Sequence, residues 1–351
     1  MTYIALTALL FLLRFALKGQ PRLAGQLYPF VLALLFVFSA FRWEVGCDWG
    51  GYYYNYLGAR GMDFPDALFH YEPLWWLWLV AQHRLGLPYE WANVWMSGIF
   101  FAGLHVLARR QPDPLGFLVL CFPVLIVNMP MSGIRQGAAI GLLCIALVRL
   151  MQGRAAGFAF WVLAGSGFHG SAIIFLLLTP LVARRITALR VAATGLLAIP
   201  GAVILRQADA VEQASERYID TGIDAFGAGF RILLLALSGL YFLLFLRRAW
   251  RRNWPGDYPV AALGAAGMLG IGVLLPVSTV IGDRLGYYLI PLQSLIFARI
   301  PTLAGLRNRA LLSALPYAGL FVFFVVWTML SRHFQGCYLP YGNWLPGLVL
   351  P

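Results

Sequence analysis

The sequence predicts an all-α protein, a polytopic bundle of transmembrane helices with roughly 11–13 membrane segments that include short or re-entrant helices. Of the 351 residues, 61% are hydrophobic and only 11% are charged, an imbalance that no soluble core requires. The mean hydropathy is +0.76, and apolar runs long enough to cross about 30 Å of hydrocarbon recur along the whole chain. We therefore expect a single integral membrane domain over residues 1–351.

The apolar runs define the candidate membrane segments in chain order. They are residues 3–18, 27–42, 72–87, 91–108, 114–130, 134–152, 155–167, 170–183, 188–206, 229–247, 258–280, 285–300 and 310–331. The first run follows no charged leader and precedes no small-residue cleavage site, so we interpret it as a retained span.

The basic residues predict the orientation of these segments. The net charge is +12, and almost all of the bases are arginines in short clusters between apolar runs, which is typical of cytoplasmic loops and not of a nucleic-acid surface. The clusters lie at 18–22, 109–110, 149–154, 184–190, 247–252 and 299–309. The remaining connections hold most of the acids and should face outward; they are 43–71, 128–135, 166–170, 207–228, 282–284 and the tail 332–351.

Two places need special treatment for the sides to alternate. The run "GFAFWVLAGSGFHGSAIIFLLL" must be two short helices that meet at His169, a break that its glycines favour. Two full spans before Arg109 would place that basic cluster outside, so we interpret "EPLWWLWLVAQHRLGL" as re-entrant or interfacial. The simpler alternative is a basic pair on the outer side.

Arg135 is the most unusual charge, because it opens an apolar helix directly after "NMPMSG". A charge at that depth is tolerated when it faces a polar cavity or an anion. Gln136 beside it adds a further donor and acceptor. The alternative is an arginine that snorkels to the surface and sets the topology.

A second arginine stands in a similar context in "VIGDRLGYYLI". Asp283 and Arg284 lie at the mouth of the connection 282–284, and Tyr288 should share a helix face with Arg284. A solvated turn would give the same pattern. Guanidinium groups match phosphate oxygens in pairs, so Arg135 and Arg284 converging on one cavity would suit a pyrophosphate.

His169, in "GSGFHGSAII", is the candidate proton acceptor. Small neighbours leave space for a ligand, and imidazole exchanges a proton near neutral pH. The alternative is a structural histidine with satisfied hydrogen bonds.

Aromatic residues cluster in "FRWEVGCDWGGYYYNYLGARG" and again in the tail "CYLPYGNW". They fit a belt at the membrane surface equally well as platforms that stack on sugars. In the second interpretation Trp49, Tyr53, Tyr338 and Tyr341 contact the sugar, and the Asp48 carboxylate bonds its hydroxyls.

The sequence contains no phosphate-binding loop, dinucleotide fingerprint, HExxH or cysteine-pair metal motif. We therefore expect no metal and no cofactor. Cys121 and Cys144 lie in apolar runs and should be core residues, whereas Cys47 and Cys337 fall in loops, and a disulfide between them is left open.

Six motifs carry a family resemblance: "RWEVGCDWGGYYYNY", "EPLWWLW", "SGIRQGAAIGLLCIAL", "FHGSAIIFLL", "GDRLGYYL" and "YLPYGNW". Each is weak alone, but their order and spacing resemble the EpsG-like, Wzy-type polysaccharide polymerases over nearly the whole chain. The chain departs from that pattern at Cys47, where the family more often has a small hydroxyl residue. Any role for that hydroxyl is therefore in doubt here.

The resemblance implies an enzyme of the bacterial inner membrane that joins oligosaccharide units carried on undecaprenyl pyrophosphate, with its site facing the periplasm or exterior. Arg135 and Arg284 would stabilise the leaving pyrophosphate, and His169 or Asp48 would take the proton of the acceptor hydroxyl. Its partners would be the lipid bilayer and the chain-length regulator and flippase proteins, with no nucleic acid.

Three other membrane functions are weighed against this one. A polysaccharide ligase uses the same donor chemistry, and the short connection 207–228 leaves little room for a second large acceptor. A flippase or transporter for the lipid-linked sugar predicts paired repeats and polar motifs on both sides, whereas the polar motifs lie on one side. An acyltransferase with His169 as base predicts a polar path to the cytoplasm.

Overall fold

The computed structural model describes residues 2–181, 192, 226–273, 279–345 and 348–350, and over these residues it is predominantly helical. The α-helices are α1 (Thr2–Ala16), α2 (Pro21–Ala40), α3 (Trp49–Gly58), α4 (Phe64–Phe69), α5 (Pro73–Arg84), α6 (Glu90–Ala108), α7 (Pro114–Cys121), α8 (Ile134–Met151), α9 (Ala155–Ser166), α10 (Phe226–Tyr241), α11 (Arg247–Asn253), α12 (Tyr258–Val273), α13 (Thr279–Tyr287), α14 (Ile290–Arg299), α15 (Arg309–Leu330) and α16 (Arg332–Tyr338). A 3₁₀ helix covers Gly170–Leu181, and the strands are β1 (Arg42–Trp43), β2 (Tyr341–Asn343) and β3 (Leu348–Leu350). The all-α prediction is confirmed.

Among the described residues, five helices are long and apolar enough to cross a membrane. They are Pro21–Ala40, Glu90–Ala108, Ile134–Met151, Gly227–Asn253 and Arg309–Leu330. Shorter apolar helices accompany them, namely Thr2–Ala16, Pro114–Ile126, Ala155–Ser166, Gly170–Leu181 and Tyr258–Val273. The chain is thus a multi-pass membrane protein, as predicted. The predicted span 188–206 and most of the acidic connection 207–228 lie outside the described residues.

The chain forms two compact units. The first comprises Met1–Ile145, Ala164–Ala172 and Ser294–Pro351, and the second comprises Ala146–Leu163 and Ile173–Gln293. Asp48, Arg135 and His169 belong to the first unit, whereas Asp283 and Arg284 belong to the second. The expectation of one integral domain stays a prediction.

Close backbone approach and a small sheet organise the first unit. α6 and α8 meet at Gly103 and Gly141, where a Cβ atom on either glycine would collide with the backbone of the other helix. β1 pairs antiparallel with β2, and β2 with β3, so that the segment after α2 is joined to the tail. Arg42 of β1 is fully buried and donates to Val45 O (2.9 Å), Ser39 O (3.1 Å) and Asn93 Oδ1 (3.0 Å).

The structure agrees with the two predicted interruptions of the helical pattern. α9 ends at Ser166 and the 3₁₀ helix begins at Gly170, so the break at His169 is confirmed. α5 has 12 residues, which gives it a length of about 18 Å, shorter than the hydrocarbon layer. That length supports the re-entrant or interfacial interpretation of this segment.

In the second unit, α10 packs against α12 and α13. The predicted span 285–300 and the turn at 282–284 are both wrong. α13 runs through Asp283 and Arg284 and ends at Tyr287, and α14 begins at Ile290. Pro291 lies in the first turn of α14, where its missing N–H costs nothing, and its ring disfavours a continuous helix before it.

Candidate functional site

Glu72 is the centre of the candidate site in the first unit. Its carboxylate accepts one hydrogen bond from Arg135 Nη1 at the start of α8 and another from the Gly170 backbone N–H, at 2.8 Å. The Glu72 side chain is 4% exposed, so this negative charge is almost wholly withdrawn from water and depends on these donors. One buried carboxylate therefore ties the start of α8 to the turn that carries His169.

The backbone around Glu72 is built for this contact. Glu72 precedes Pro73 and adopts a left-handed conformation with φ 60°, which is unusual for a residue other than glycine. The first turn of α5 then reaches the histidine turn directly, because Leu74 N–H donates to Gly167 O at 2.9 Å. A Cβ on Gly167 would strike the Leu74 side chain, so this position favours glycine.

The guanidinium of Arg135 rests on aromatic rings. Its central carbon lies 5.4 Å from the ring centre of Tyr52 and 6.0 Å from that of Trp75, within the range of cation–π attraction. Its Nε is buried and has no hydrogen-bond partner among the described residues, while 28% of the side chain is exposed. Arg135 is thus fixed by Glu72 through Nη1 and by Tyr52, and part of its side chain stays exposed.

His169 lies in the turn that Glu72 holds. Its Nδ1 is 2.8 Å from Ser171 Oγ, and the side chain is partly exposed. A hydroxyl partner at Nδ1 orients the imidazole ring. The structure therefore brings the turn of His169 and the Arg135 side chain to one carboxylate.

Asp48 borders the same cluster from the other side. Its exposed carboxylate accepts from Ser132 Oγ at 3.3 Å, and Ser132 stands three residues before Arg135. The preceding loop is clamped at Gly46, whose φ of +105° and contact with the Met131 backbone leave no room for a side chain.

The tail closes this loop covalently. Cys47 and Cys337 form a disulfide, and Gly46 N–H donates to Cys337 O at 2.7 Å. Cys121 and Cys144 are buried free thiols, as predicted. The disulfide left open by the sequence is therefore part of the structure, and it fixes the residue directly before Asp48.

The electrostatics of the cluster converge on Tyr52. Burial, together with the negative charge of Asp48, raises the pKa of Tyr52 to about 12, while the positive charge of Arg135 and its hydrogen bond to Tyr52 oppose this rise. Asp48 and Arg135 are thus close enough to influence the same phenol. The hydroxyl of Tyr52 stays neutral at physiological pH and cannot serve as a base.

The predicted sugar platforms divide into two groups. Trp49 and Tyr53 stack with ring centres 5.4 Å apart and planes within 12°, and Tyr53 is 37% exposed. Tyr338 and Tyr341 are 2% and 3% exposed, and their hydroxyls bond Asn128 Oδ1 and Phe38 O. The two tail tyrosines therefore pack in the core, because their rings fill the space beside α1 and α2, and they present no open face for a sugar.

In the second unit, Asp283 is engaged by Arg231, which donates through Nε to Oδ1 (2.7 Å) and through Nη2 to Oδ2 (2.6 Å). Tyr288 is 1% exposed and packs on Phe175, and because α13 ends before it, Tyr288 does not share a helix face with Arg284. Arg284 lies within α13. Its convergence with Arg135 stays a prediction.

Gln136 is buried in α8, 5% exposed, beside Arg135. It is therefore shielded from any ligand that approaches from solvent, although it follows the arginine directly. Its expected part in substrate binding stays a prediction.

Two residues of these constellations were missed in the sequence. Glu72 opens the segment 72–87, and the pair "EP" at the head of a tryptophan-rich helix singles it out as an acid at a helix start. Arg231 lies inside an apolar run of α10, where a lone charge predicts a buried partner. Both signals were present, but the partners could not be assigned without the fold.

Comparison with protein families identifies the family of the chain that carries this site. The model of the EpsG family matches residues 26–343, which include every candidate site residue named above. The chain belongs to the EpsG family. No curated protein and no solved structure matches it. Membership of the EpsG family supports a polysaccharide-polymerase-like role with glycosyltransferase-like activity.

Proposed function

We propose that this EpsG-family protein polymerises oligosaccharide units carried on undecaprenyl pyrophosphate. The acceptor hydroxyl at the non-reducing end of one unit attacks the anomeric carbon of the growing chain. The bond from that carbon to the pyrophosphate oxygen breaks, and the carrier leaves with the electron pair. The single observation that carries the proposal is Arg135, a cation that Glu72 holds through Nη1 while 28% of its side chain stays exposed.

Arg135 suits the leaving group for a physical reason. Negative charge grows on the bridging oxygen of the pyrophosphate as the bond breaks, and a donor already fixed in a poorly hydrated place stabilises that charge without reorganising. Glu72 and the rings of Tyr52 and Trp75 supply this fixation.

The acceptor needs a base and a platform. His169 is proposed to accept the hydroxyl proton, and Asp48 is the alternative, since its exposed carboxylate borders the same cluster. The stacked pair Trp49 and Tyr53 offers an aromatic face to a sugar ring. We expect the reaction to need no metal, because arginines take the part of a cation.

The proposal also assigns a side of the membrane. A disulfide persists in an oxidising compartment, so the Cys47–Cys337 bond supports placing Asp48 on the periplasmic face of the inner membrane. The expectation that the arginine clusters face the cytoplasm agrees with this assignment.

Deletion of the gene, followed by gel analysis of the cell's polysaccharide, tests the reaction. Polymerisation predicts loss of long chains while single repeat units still reach their final acceptor. A ligase predicts that long chains persist but stay on the lipid carrier. A flippase predicts that units accumulate on the cytoplasmic side, and either of these two results would overturn the proposal.

Cysteine labelling tests the side. In a background with Cys121 and Cys144 replaced by alanine, Ser166→Cys and Ser331→Cys should react with a membrane-impermeant maleimide added to intact spheroplasts. The native Cys47–Cys337 pair does not interfere while it is oxidised. Labelling of both positions only after lysis would reverse the assigned orientation.

A further inference from the structure

His333 adds a third ligand-type side chain to the disulfide. Its Nε2 lies 3.0 Å from Cys47 Sγ, and its Nδ1 lies 3.8 Å from the same sulfur. His333 and Cys337 are four residues apart on α16, so one helix face presents both side chains. The Cys47 side chain comes from a loop 286 residues before His333 in the chain.

We propose that Cys47, His333 and Cys337 become, once the disulfide is reduced, a binding site for a thiolate-preferring divalent cation such as Zn²⁺. Their ligand atoms all lie within 4.8 Å of one another. Four-coordinate zinc has Zn–S distances of about 2.3 Å and Zn–N distances of about 2.0–2.1 Å, which place neighbouring ligand atoms about 3.5–3.8 Å apart. The cluster is compact enough to meet that requirement by side-chain rotation.

The ligand set selects the class of cation. Two thiolates and one imidazole favour zinc and its soft neighbours over Mg²⁺ or Ca²⁺, which prefer oxygen ligands. Water completes the fourth position, since His333 is exposed and both cysteines are partly exposed. The site holds the tail on the loop of Asp48 in place of the covalent bond, and it is separate from the sugar-transfer chemistry.

The reaction balances with a dithiol as reductant. The dithiol gives two electrons and two protons to the disulfide, the S–S bond breaks, two thiols form, and the reductant becomes a disulfide itself. Binding of the cation then displaces the two thiol protons into solvent. Oxidation to the disulfide expels the cation, so disulfide formation and cation binding exclude each other.

Cobalt(II) is the probe, because it reports thiolate ligation through its visible and near-ultraviolet absorption. The experiment uses the tag-free full chain in detergent with Cys121 and Cys144 replaced by alanine, so that only two thiols are titrated. The protein is reduced with dithiothreitol and freed from it by gel filtration under argon. We expect one equivalent of Co²⁺ with tetrahedral thiolate bands, displaced by Zn²⁺, and none in the oxidised protein.

Variants identify the ligands. His333→Ala keeps both cysteines and should weaken Co²⁺ binding at least tenfold, whereas His70→Ala, at another exposed histidine of the same unit, should change nothing. Cys47→Ser and Cys337→Ser should abolish the thiolate bands. Monodisperse elution and circular dichroism establish folding, and if a cysteine variant unfolds, His333→Ala decides.

Two results would overturn the site. The first is a reduced, folded protein with two titratable thiols that gives no cobalt bands. The second is a set of bands that persists at the same cobalt concentration in the His333→Ala protein. Neither result bears on polymerisation, because the measurement involves no sugar substrate.

Discussion

The two units each contain a partly buried arginine–carboxylate pair, and the pairs differ in how much of the guanidinium they occupy. Asp283 engages Arg231 through Nε and Nη2 at 2.7 and 2.6 Å, and the ring of Tyr287 lies 5.4 Å from the guanidinium. Glu72 engages Arg135 through Nη1 and gives its other oxygen to Gly170 N–H, while 28% of the Arg135 side chain is exposed.

The difference separates a pair that stabilises from a pair that can also bind. A two-pronged contact uses a whole edge of the guanidinium and satisfies both carboxylate oxygens. The contact of Glu72 with Arg135 uses one nitrogen, and the exposed part of the Arg135 side chain is open to an oxyanion. We therefore expect loss of Arg135 to impair catalysis and loss of Arg231 to impair folding.

The largest effect is expected at Arg135. Arg135→Ala should lower polymer formation by about a hundred- to a thousand-fold, the usual cost of removing a donor to a developing oxyanion. Arg135→Lys should recover little, because an ammonium lacks the planar set of donors. Turnover of lipid-linked repeat units by purified protein measures this, and Arg231→Lys with near-normal turnover per folded molecule is the matched control.

His169 comes next. His169→Ala should slow transfer by roughly a hundred-fold while folding and donor binding persist, since a positioned base contributes about 10²–10⁴. His169→Gln separates the roles, because glutamine bonds but does not accept a proton. Near-normal turnover of the glutamine variant would end the assignment of His169 as base and move the role to Asp48.

Glu72 should show a smaller effect that acts through its neighbours. Glu72→Gln keeps an acceptor but removes the charge opposite Arg135, so we expect turnover to fall about tenfold by loss of alignment. The effect should shrink in an Arg135→Ala background, where there is no guanidinium to align. Full additivity of the two substitutions would contradict the positioning role.

Arg231 and Asp283 test the other half of the comparison. Their side chains are 14% and 17% exposed, so a double-mutant cycle with alanine should give a coupling of about 1–3 kcal/mol in the free energy of unfolding. Turnover per folded molecule should stay near normal. A loss of turnover in Asp283→Asn without a change in stability would instead support Asp283 as a substrate contact.

The smallest effect concerns Tyr52. Its folded-state pKa of about 12 lies above the ordinary value of 10, so the unfolded chain loses its proton first, and stability falls as the pH rises from 10 to 12. Tyr52→Phe should remove this loss, which amounts to about 1.4 kcal/mol by pH 11. Unfolding temperatures at pH 9, 10 and 11 measure it, with Tyr54→Phe, at an exposed tyrosine of the same helix, as the control. Parallel curves for wild type and Tyr52→Phe would refute it.

The helical spans followed from composition because a membrane imposes one rule, a long apolar segment with satisfied backbone bonds. The break at His169 followed from its flanking glycines and from the alternation of arginine clusters. The break between α13 and α14 could not be predicted in this way, because apolar residues continue across it. The ring of Pro291 disfavours helix in the residues before it, and the helix already ends at Tyr287.

The site was predicted residue by residue but not contact by contact. Arg135, His169 and Asp48 were singled out because charges and small residues are conspicuous in apolar sequence. Their common partner Glu72 was not assigned, since a side chain's partner 63 residues away depends on tertiary packing. The prediction for Tyr338 and Tyr341 was wrong, because the sequence alone does not distinguish an aromatic residue at a surface from one in a core.

The small sheet can form only late in synthesis, because it pairs an early segment of the chain with the tail. Tyr341 reaches across 303 positions of the chain to bond Phe38 O at the end of α2, and its strand pairs with β1. At a translation rate of about 5–20 residues per second, β1 waits roughly 15–60 s for its partner to be synthesised. The membrane helices in between are inserted during that interval, while β1, next to the loop of Asp48, has no partner strand. A ribosome that stalls before residue 341 therefore leaves an inserted protein in which β1 has no partner strand.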